Sequence, residues 1–232
     1  MPEALVAKIA GIDRPKSLTE HAYRRLKTAI REGSLVPEHF YPLGQMATQL
    51  GISRTPVREA VLRLEHDGLV EIVRQRGFRV RRVPWEEAAE VFELRSIIEG
   101  RALERVVKRA GPQDIRTLRA ILRRQGHVTS DTARFLDIDE EFHLQIVEMA
   151  GLRRAKDFLI TLRDVVWLVG FEVLRRRSRS AEVLAEHTAI VDAIEAGDPA
   201  RVRQALDRHL ASTYTKIKGG LVAPSQRKTD SH

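Results

Sequence analysis

Apolar residues recur along this chain in two rhythms. From Thr19 to Arg31 they fall at Ala22, Leu26, Ala29 and Ile30, a spacing that collects side chains on one face of a helix. Gly33, Pro37 and Pro42 then punctuate a loop. A short helix is predicted over 43–50, carrying Met46, Ala47 and Leu50 and ended by Gly51. Ser53 is a natural N-cap for the next helix, which runs to Asp67. Pro56 lies in that helix's first turn, where a missing N–H costs little. Its apolar stripe is Val57, Ala60, Val61 and Leu64, so Arg54, Thr55 and Arg58 point elsewhere. The rhythm then changes. Two β-prone runs, 69–73 and 78–83, joined by Arg74-Gln75-Arg76-Gly77, predict a hairpin.

After Pro84-Trp85 the pattern is helical throughout. Helices are predicted over 86–108, 113–125, 131–150, 153–176, 181–196 and 199–217, separated by Gly111-Pro112, Gly126, Gly151 and Gly197-Asp198-Pro199. The expected organisation is an arm at 1–17, a small α plus hairpin domain at 18–83, an all-helical domain at 84–219 and a disordered tail at 220–232. The fold class is therefore mostly α. There is no internal repeat.

Charge sharpens the division. The 232-residue chain carries a net +8. Residues 1–83 hold 15 Lys and Arg against 9 Asp and Glu, whereas residues 84–232 hold 25 against 23. A basic excess concentrated in the smaller part suits a polyanion such as DNA. The absence of cysteine removes disulfides, thiolate catalysis and cysteine-based zinc modules. With no signal-peptide pattern and no long apolar run, a cytoplasmic location is expected.

Two short helices, the second presenting polar side chains from its first turn, make a helix-turn-helix, and the basic hairpin behind it makes a wing. A recognition helix enters the major groove by its N-terminal end. Arg54 and Arg58, four apart on one face, suit guanine O6 and N7. Ser53 and Thr55 can reach phosphates. Arg76 and Gly77 stand at the wing tip, where a glycine would allow close approach to the backbone or minor groove. An isolated helix with two arginines would be an ordinary solvated surface; the order of elements favours a double-stranded DNA partner.

The stretch Leu50-Gly51-Ile52-Ser53-Arg54-Thr55-Pro56-Val57-Arg58-Glu59-Ala60, continued by Leu64-Glu65 and Asp67-Gly68-Leu69-Val70, closely resembles the gluconate-repressor (GntR) superfamily. That resemblance implies a winged helix-turn-helix binding palindromic operators as a homodimer, and it carries DNA contact onto Arg54, Thr55, Arg58 and Gly77. The chain departs from the family at Tyr41-Pro42-Leu43-Gly44-Gln45, where an acidic residue is frequent.

The helical part carries a different chemistry. His143 shares an apolar stripe with Leu136, Asp139, Ile146 and Ala150; His187 with Val183, Ile190 and Ile194; His209 with Val202, Leu206 and Thr213. Each histidine alone would read as a hydrogen-bonded core residue. A carboxylate on an apolar stripe, however, must be paired or bound to a cation, and Asp139 stands one turn before His143. One aspartate with three imidazoles is a first-row metal set: zinc first, with nickel and manganese also fitting. Arg95, on the stripe of Val91, Ile98 and Ala102, can snorkel, form a salt bridge, or bind an anionic ligand.

Phe135 through His143, Glu186-His187, Gly197-Asp198 and His209-Leu210 resemble the FCD domain of the FadR subfamily. That resemblance implies metal ligation by Asp139, His143, His187 and His209, and an effector-facing Arg95. Leu152 stands where an asparagine often follows the glycine, and the short helical domain is closer to the VanR-like variant. The expected function is a transcriptional regulator controlled by a small organic acid. The alternatives are a metal-dependent hydrolase using the Asp/His site, which lacks a separate general base, and an architectural DNA binder without ligand.

Overall fold

The computed structural model describes residues 17–177 and 179–221. Residues 1–16 of the predicted arm and residues 222–232 of the predicted tail lie outside them.

The first unit is built from α1 (Leu18–Arg31), β1 (Phe40–Tyr41), α2 (Leu43–Leu50), α3 (Arg54–His66), β2 (Val70–Val73) and β3 (Gly77–Val80). Ser17 caps α1 by accepting from the Glu20 N–H. The α1 stripe of Ala22, Leu26 and Ile30 is buried against Val57, Ala60, Val61 and Leu64 of α3 and against Phe78 and Val80 of the hairpin. Gly51 takes φ +66°, the left-handed conformation that ends α2. The strands are antiparallel in the order β1-β3-β2. Strand β1 falls in what the sequence predicts as loop: Phe40 and Tyr41 pair with Arg79 and Phe78. Two residues are too few for any alternation to show. The Tyr41 ring nevertheless packs on Phe78, 5.5 Å between centroids.

The second unit contains α4 (Trp85–Val106), α5 (Pro112–Gly126), α6 (Thr132–Met149), α7 (Arg153–Arg177), α8 (Ser180–Glu195) and α9 (Pro199–Leu221). Each lies within a few residues of its predicted span. Helix α4 packs on α6, α7 and α9, and α5 packs on α6 and α8. The shared core includes Phe142, Ile146, Val147, Leu159, Ile190, Leu206 and Ile217. Into that core the chain places charged and polar groups: Arg95, Glu99, Gln125, Asp139, His143, Arg163, Asp164, His187 and His209 are all buried. Helix α7 also touches α1, and Leu168 packs against both cores.

Candidate functional site

The chain presents two chemically opposite sites. The first is on the surface. Ser53, Arg54, Thr55 and Arg58 are all exposed at the start of α3. Ser53 occupies the N-cap position, yet its hydroxyl makes no capping bond. The hydroxyl is thus available to a phosphate, together with the unsatisfied N–H groups of the first turn. The Arg54 guanidinium lies across the start of α2, and a Cβ on Gly44 would come within 3.1 Å of it. Arg54, Thr55 and Arg58 line one open cleft with Gly44, Gln45 and the hairpin tip.

The five hairpin arginines divide into two groups. Arg79, Arg81 and Arg82 are tied to Glu71, Glu87 and Glu38. Arg74 and Arg76 are exposed at the tip without an acidic partner among the described residues, Arg76 lying over the Phe40 ring at 5.1 Å. The basic wing is thus its tip rather than its length. Gly77 is required for an internal reason that the sequence does not reveal. Its φ is +105°, and a Cβ there would stand 2.1 Å from the Tyr41 carbonyl oxygen. The glycine admits the neighbouring strand β1.

The second site is buried between α4, α6, α7, α8 and α9. His143 on α6, His187 on α8 and His209 on α9 each offer a ring nitrogen within 4.8 Å of the others. Every one is held from behind by an acceptor. His143 Nδ1 donates to Glu99 Oε2 at 2.6 Å, His187 Nδ1 to Gln125 Oε1 at 3.0 Å, and His209 Nδ1 to Glu186 Oε2 at 2.8 Å. A carboxylate can only accept, so the Nδ1 of His143 and of His209 carries a proton and Nε2 faces away from it. Nε2 of His143 and of His187 has no hydrogen-bond partner. Burial holds the His143 imidazolium pKa down at about 4, against the pull of Glu99. Burial and the nearby His209 hold His187 well below its usual value. His143 and His187, neutral, oriented from outside and without a hydrogen bond at Nε2, have what a metal ion requires of its ligands.

Asp139 stands in the same place, Oδ1 3.4 Å from His187 Nε2 and Oδ2 3.9 Å from His143 Nε2. Burial opposes its ionisation, but the charge of Arg163 holds the carboxyl well below the usual range. Arg163, on α7, is in direct ion-paired contact with Oδ2. The four residues read from the sequence thus come together, and Asp139 has a partner that the sequence reading missed. Arg95 is 1% exposed and donates from Nε to Glu99 Oε1 at 2.8 Å, while its Nη2 has no partner. Of the three roles open to Arg95, snorkelling is ruled out by that burial. Arg95, Asp139, Arg179, His209 and Lys216 border a narrow cavity beside the histidines.

Helix, turn, reading helix and wing, followed by a helical bundle with a buried polar centre, define a DNA-binding transcriptional regulator with an effector-binding domain. The family model for bacterial regulatory proteins of the gntR family matches residues 18–80, and that for the FCD domain matches residues 90–212. The chain belongs to the GntR family and carries an FCD domain. It is similar to the Nta operon transcriptional regulator of Aminobacter aminovorans, 29% identical over 192 residues that cover 81% of this chain and 90% of that one. It is also similar to the HTH-type transcriptional repressor GlaR of Escherichia coli, 26% identical over 207 residues, 84% and 94% of the two chains. Among solved structures, Escherichia coli McbR/YncC shares the fold with a TM-score of 0.76 at 23% identity, covering 88% of this chain and 99% of that one. These families and relatives are transcriptional regulators, not enzymes, so the hydrolase reading of the Asp/His site falls. Among the described residues, no helix is long and apolar enough to cross a membrane.

Proposed function

We propose that this regulator senses a small carboxylate at a divalent-metal centre, and that effector binding there changes the affinity of a homodimer for a palindromic operator. The observation that supports it is the histidine set: three imidazoles on three helices, each gripped at Nδ1 from outside, with buried Nε2 atoms of His143 and His187 left unpartnered. Buried polar atoms without partners are costly, and a cation that accepts those lone pairs relieves the cost. His143, His187 and His209 would hold it, with Asp139 as the anionic ligand; zinc, nickel and manganese fit this donor set. Bound there, the metal supplies a Lewis-acidic docking point for carboxylate oxygens. The free Nη2 of Arg95 adds a hydrogen-bond donor to the same cavity. At the other end of the molecule, Arg54 and Arg58 read base edges, while Ser53, Thr55 and the wing-tip Arg76 engage phosphates.

Purified chain titrated with zinc should bind close to one equivalent per chain and melt at a higher temperature, as mass action demands of a ligand specific for the folded state. A chain that takes up none of the three metals, and melts identically with chelator, overturns the metal centre.

A further inference from the structure

Helix α7 is the wall shared by the buried centre and the DNA-binding unit, and two adjacent residues on it reach different units. Arg163, 3% exposed, reaches Asp139 in the centre, while its Nε and Nη1 have no hydrogen-bond partner. Asp164, 2% exposed, reaches α1: its Oδ2 lies 2.6 Å from Lys27 Nζ and its Oδ1 2.9 Å from Arg31 Nη2. Arg31 also holds Glu140 and Asp137 of α6, at 2.8 and 3.0 Å, and its guanidinium lies 5.8 Å from the Trp167 ring. Successive helical residues diverge by about 100°. On α7 this sends Arg163, Val166 and Gly170 to the cavity side, and Asp164 and Trp167 to α1. Apart from Arg81–Glu87 at the chain connection, the ion pairs between the two units among the described residues all run through Lys27 and Arg31.

We propose that the Arg163–Asp164 step of α7 couples the buried centre to the DNA-binding unit: Arg163 holds Asp139 in the metal-free centre, releases it when a divalent cation binds, and the resulting shift of α7 moves Asp164 against Lys27 and Arg31. The inference rests on the metal reading above. Its physical basis is competition. One buried carboxylate cannot neutralise a guanidinium in contact and a dication at ligand distance without strong repulsion between the two cations. Arg163 has two unpartnered nitrogens in reserve, so an anionic group of an effector is a better partner for the released fork than apolar core. A long helix packed on both sides transmits such a change as a rigid element. Asp164 cannot move without disturbing two cations of α1, whose buried stripe packs directly on the reading helix α3.

The test uses the full chain, zinc as the probe and a duplex selected from a random-sequence pool by the wild-type protein. Zinc affinity is read by competition with a chelating dye, operator affinity by fluorescence anisotropy with and without zinc, and cooperative melting checks that each variant folds. Arg163→Gln frees Asp139 and should tighten zinc binding about tenfold or more, the scale of changes next to metal ligands. Asp164→Asn should leave zinc affinity within about twofold, as for a site without shared partners, yet lose most of the zinc-induced change in operator affinity. Lys27→Gln with Arg31→Gln removes the same contact from the other side and should reproduce that loss even if Asp164→Asn folds poorly. Unchanged or weaker zinc binding in Arg163→Gln overturns the inference, as does wild-type zinc binding that leaves operator affinity unmoved. A wild-type chain that binds no zinc overturns the metal centre itself, and this inference with it.

Discussion

The arginines of the reading head and those of the helical bundle have the same side chain in opposite circumstances. Arg54, Arg58, Arg74 and Arg76 are exposed, and none has an acidic partner among the described residues. Arg95 and Arg163 are almost wholly buried, each paired with a carboxylate, yet Arg95 keeps one nitrogen and Arg163 two without a hydrogen-bond partner. The first group is hydrated, and phosphates or guanines replacing that water would release condensed counterions. The second group is already desolvated, so its incomplete satisfaction destabilises the free chain, and a group that fills those bonds would relieve the cost. The same residue type thus makes a hydrated surface in one unit and a desolvated interior with open hydrogen-bonding positions in the other.

The largest expected effect breaks the buried half of this comparison. Glu99 joins Arg95 to His143, accepting from both. Burial opposes its charge, but Arg95 and His143 hold its carboxyl well below the ordinary range. Glu99→Ala would leave a guanidinium buried without its anion and His143 without its orienting acceptor. The loss should be about 3–5 kcal/mol in urea unfolding, as for buried pairs stripped of one partner. A loss below about 1 kcal/mol, the scale of surface pairs, would show that water enters the centre and that the two arginine groups are alike.

Smaller and of another kind is the effect on the exposed group. Arg54→Ala or Arg58→Ala should weaken operator binding by about 1–3 kcal/mol and relax sequence preference, with melting unchanged. Arg76→Ala should weaken binding evenly across sequences and lower the salt dependence by about one phosphate contact. Anisotropy titrations at several salt concentrations separate the two outcomes. Equal effects from all three substitutions would remove the distinction between reading helix and wing.

The mildest perturbation is a change of pH on the metal-free chain. His143, held down at about 4 by burial, and His187, held well below its usual value, are neutral in the fold and take up protons when unfolded near pH 6.5. The unfolded state therefore binds more protons in that window, and stability rises with pH across it. Melting temperature should fall slowly from pH 7 to 6 and more steeply toward pH 4. Replacing His143 by Asn should flatten the slope, and an unchanged slope would assign the acid sensitivity elsewhere.

Much of this was legible in the chain. Helix spans followed from apolar stripes, the reading helix from Ser53 and the arginines beyond it, and the buried histidines from imidazoles standing at apolar positions. What was hidden depends on packing between distant segments. Glu99 and His143 meet across 44 residues, and Gln125 and His187 across 62. Arg163 and Asp164, adjacent opposite charges on a long helix, look in sequence like a solvated pair, yet both are buried because α7 is covered on two sides. Strand β1 was too short to show a period. The need for Gly77 lies in the Tyr41 backbone rather than in its own neighbours.

The cluster around Asp164 has a practical corollary for anyone building hybrid regulators. Exchanging reading heads between relatives is attractive because each unit has its own core. Here the junction is not a neutral linker: α1 brings Lys27 and Arg31 to a buried aspartate with two more acidic groups beside it. A foreign head lacking both cations would leave Asp164 uncompensated at the seam. A graft should therefore place lysine and arginine at the positions of Lys27 and Arg31 in the foreign head's first helix, or replace Asp164 in the same step.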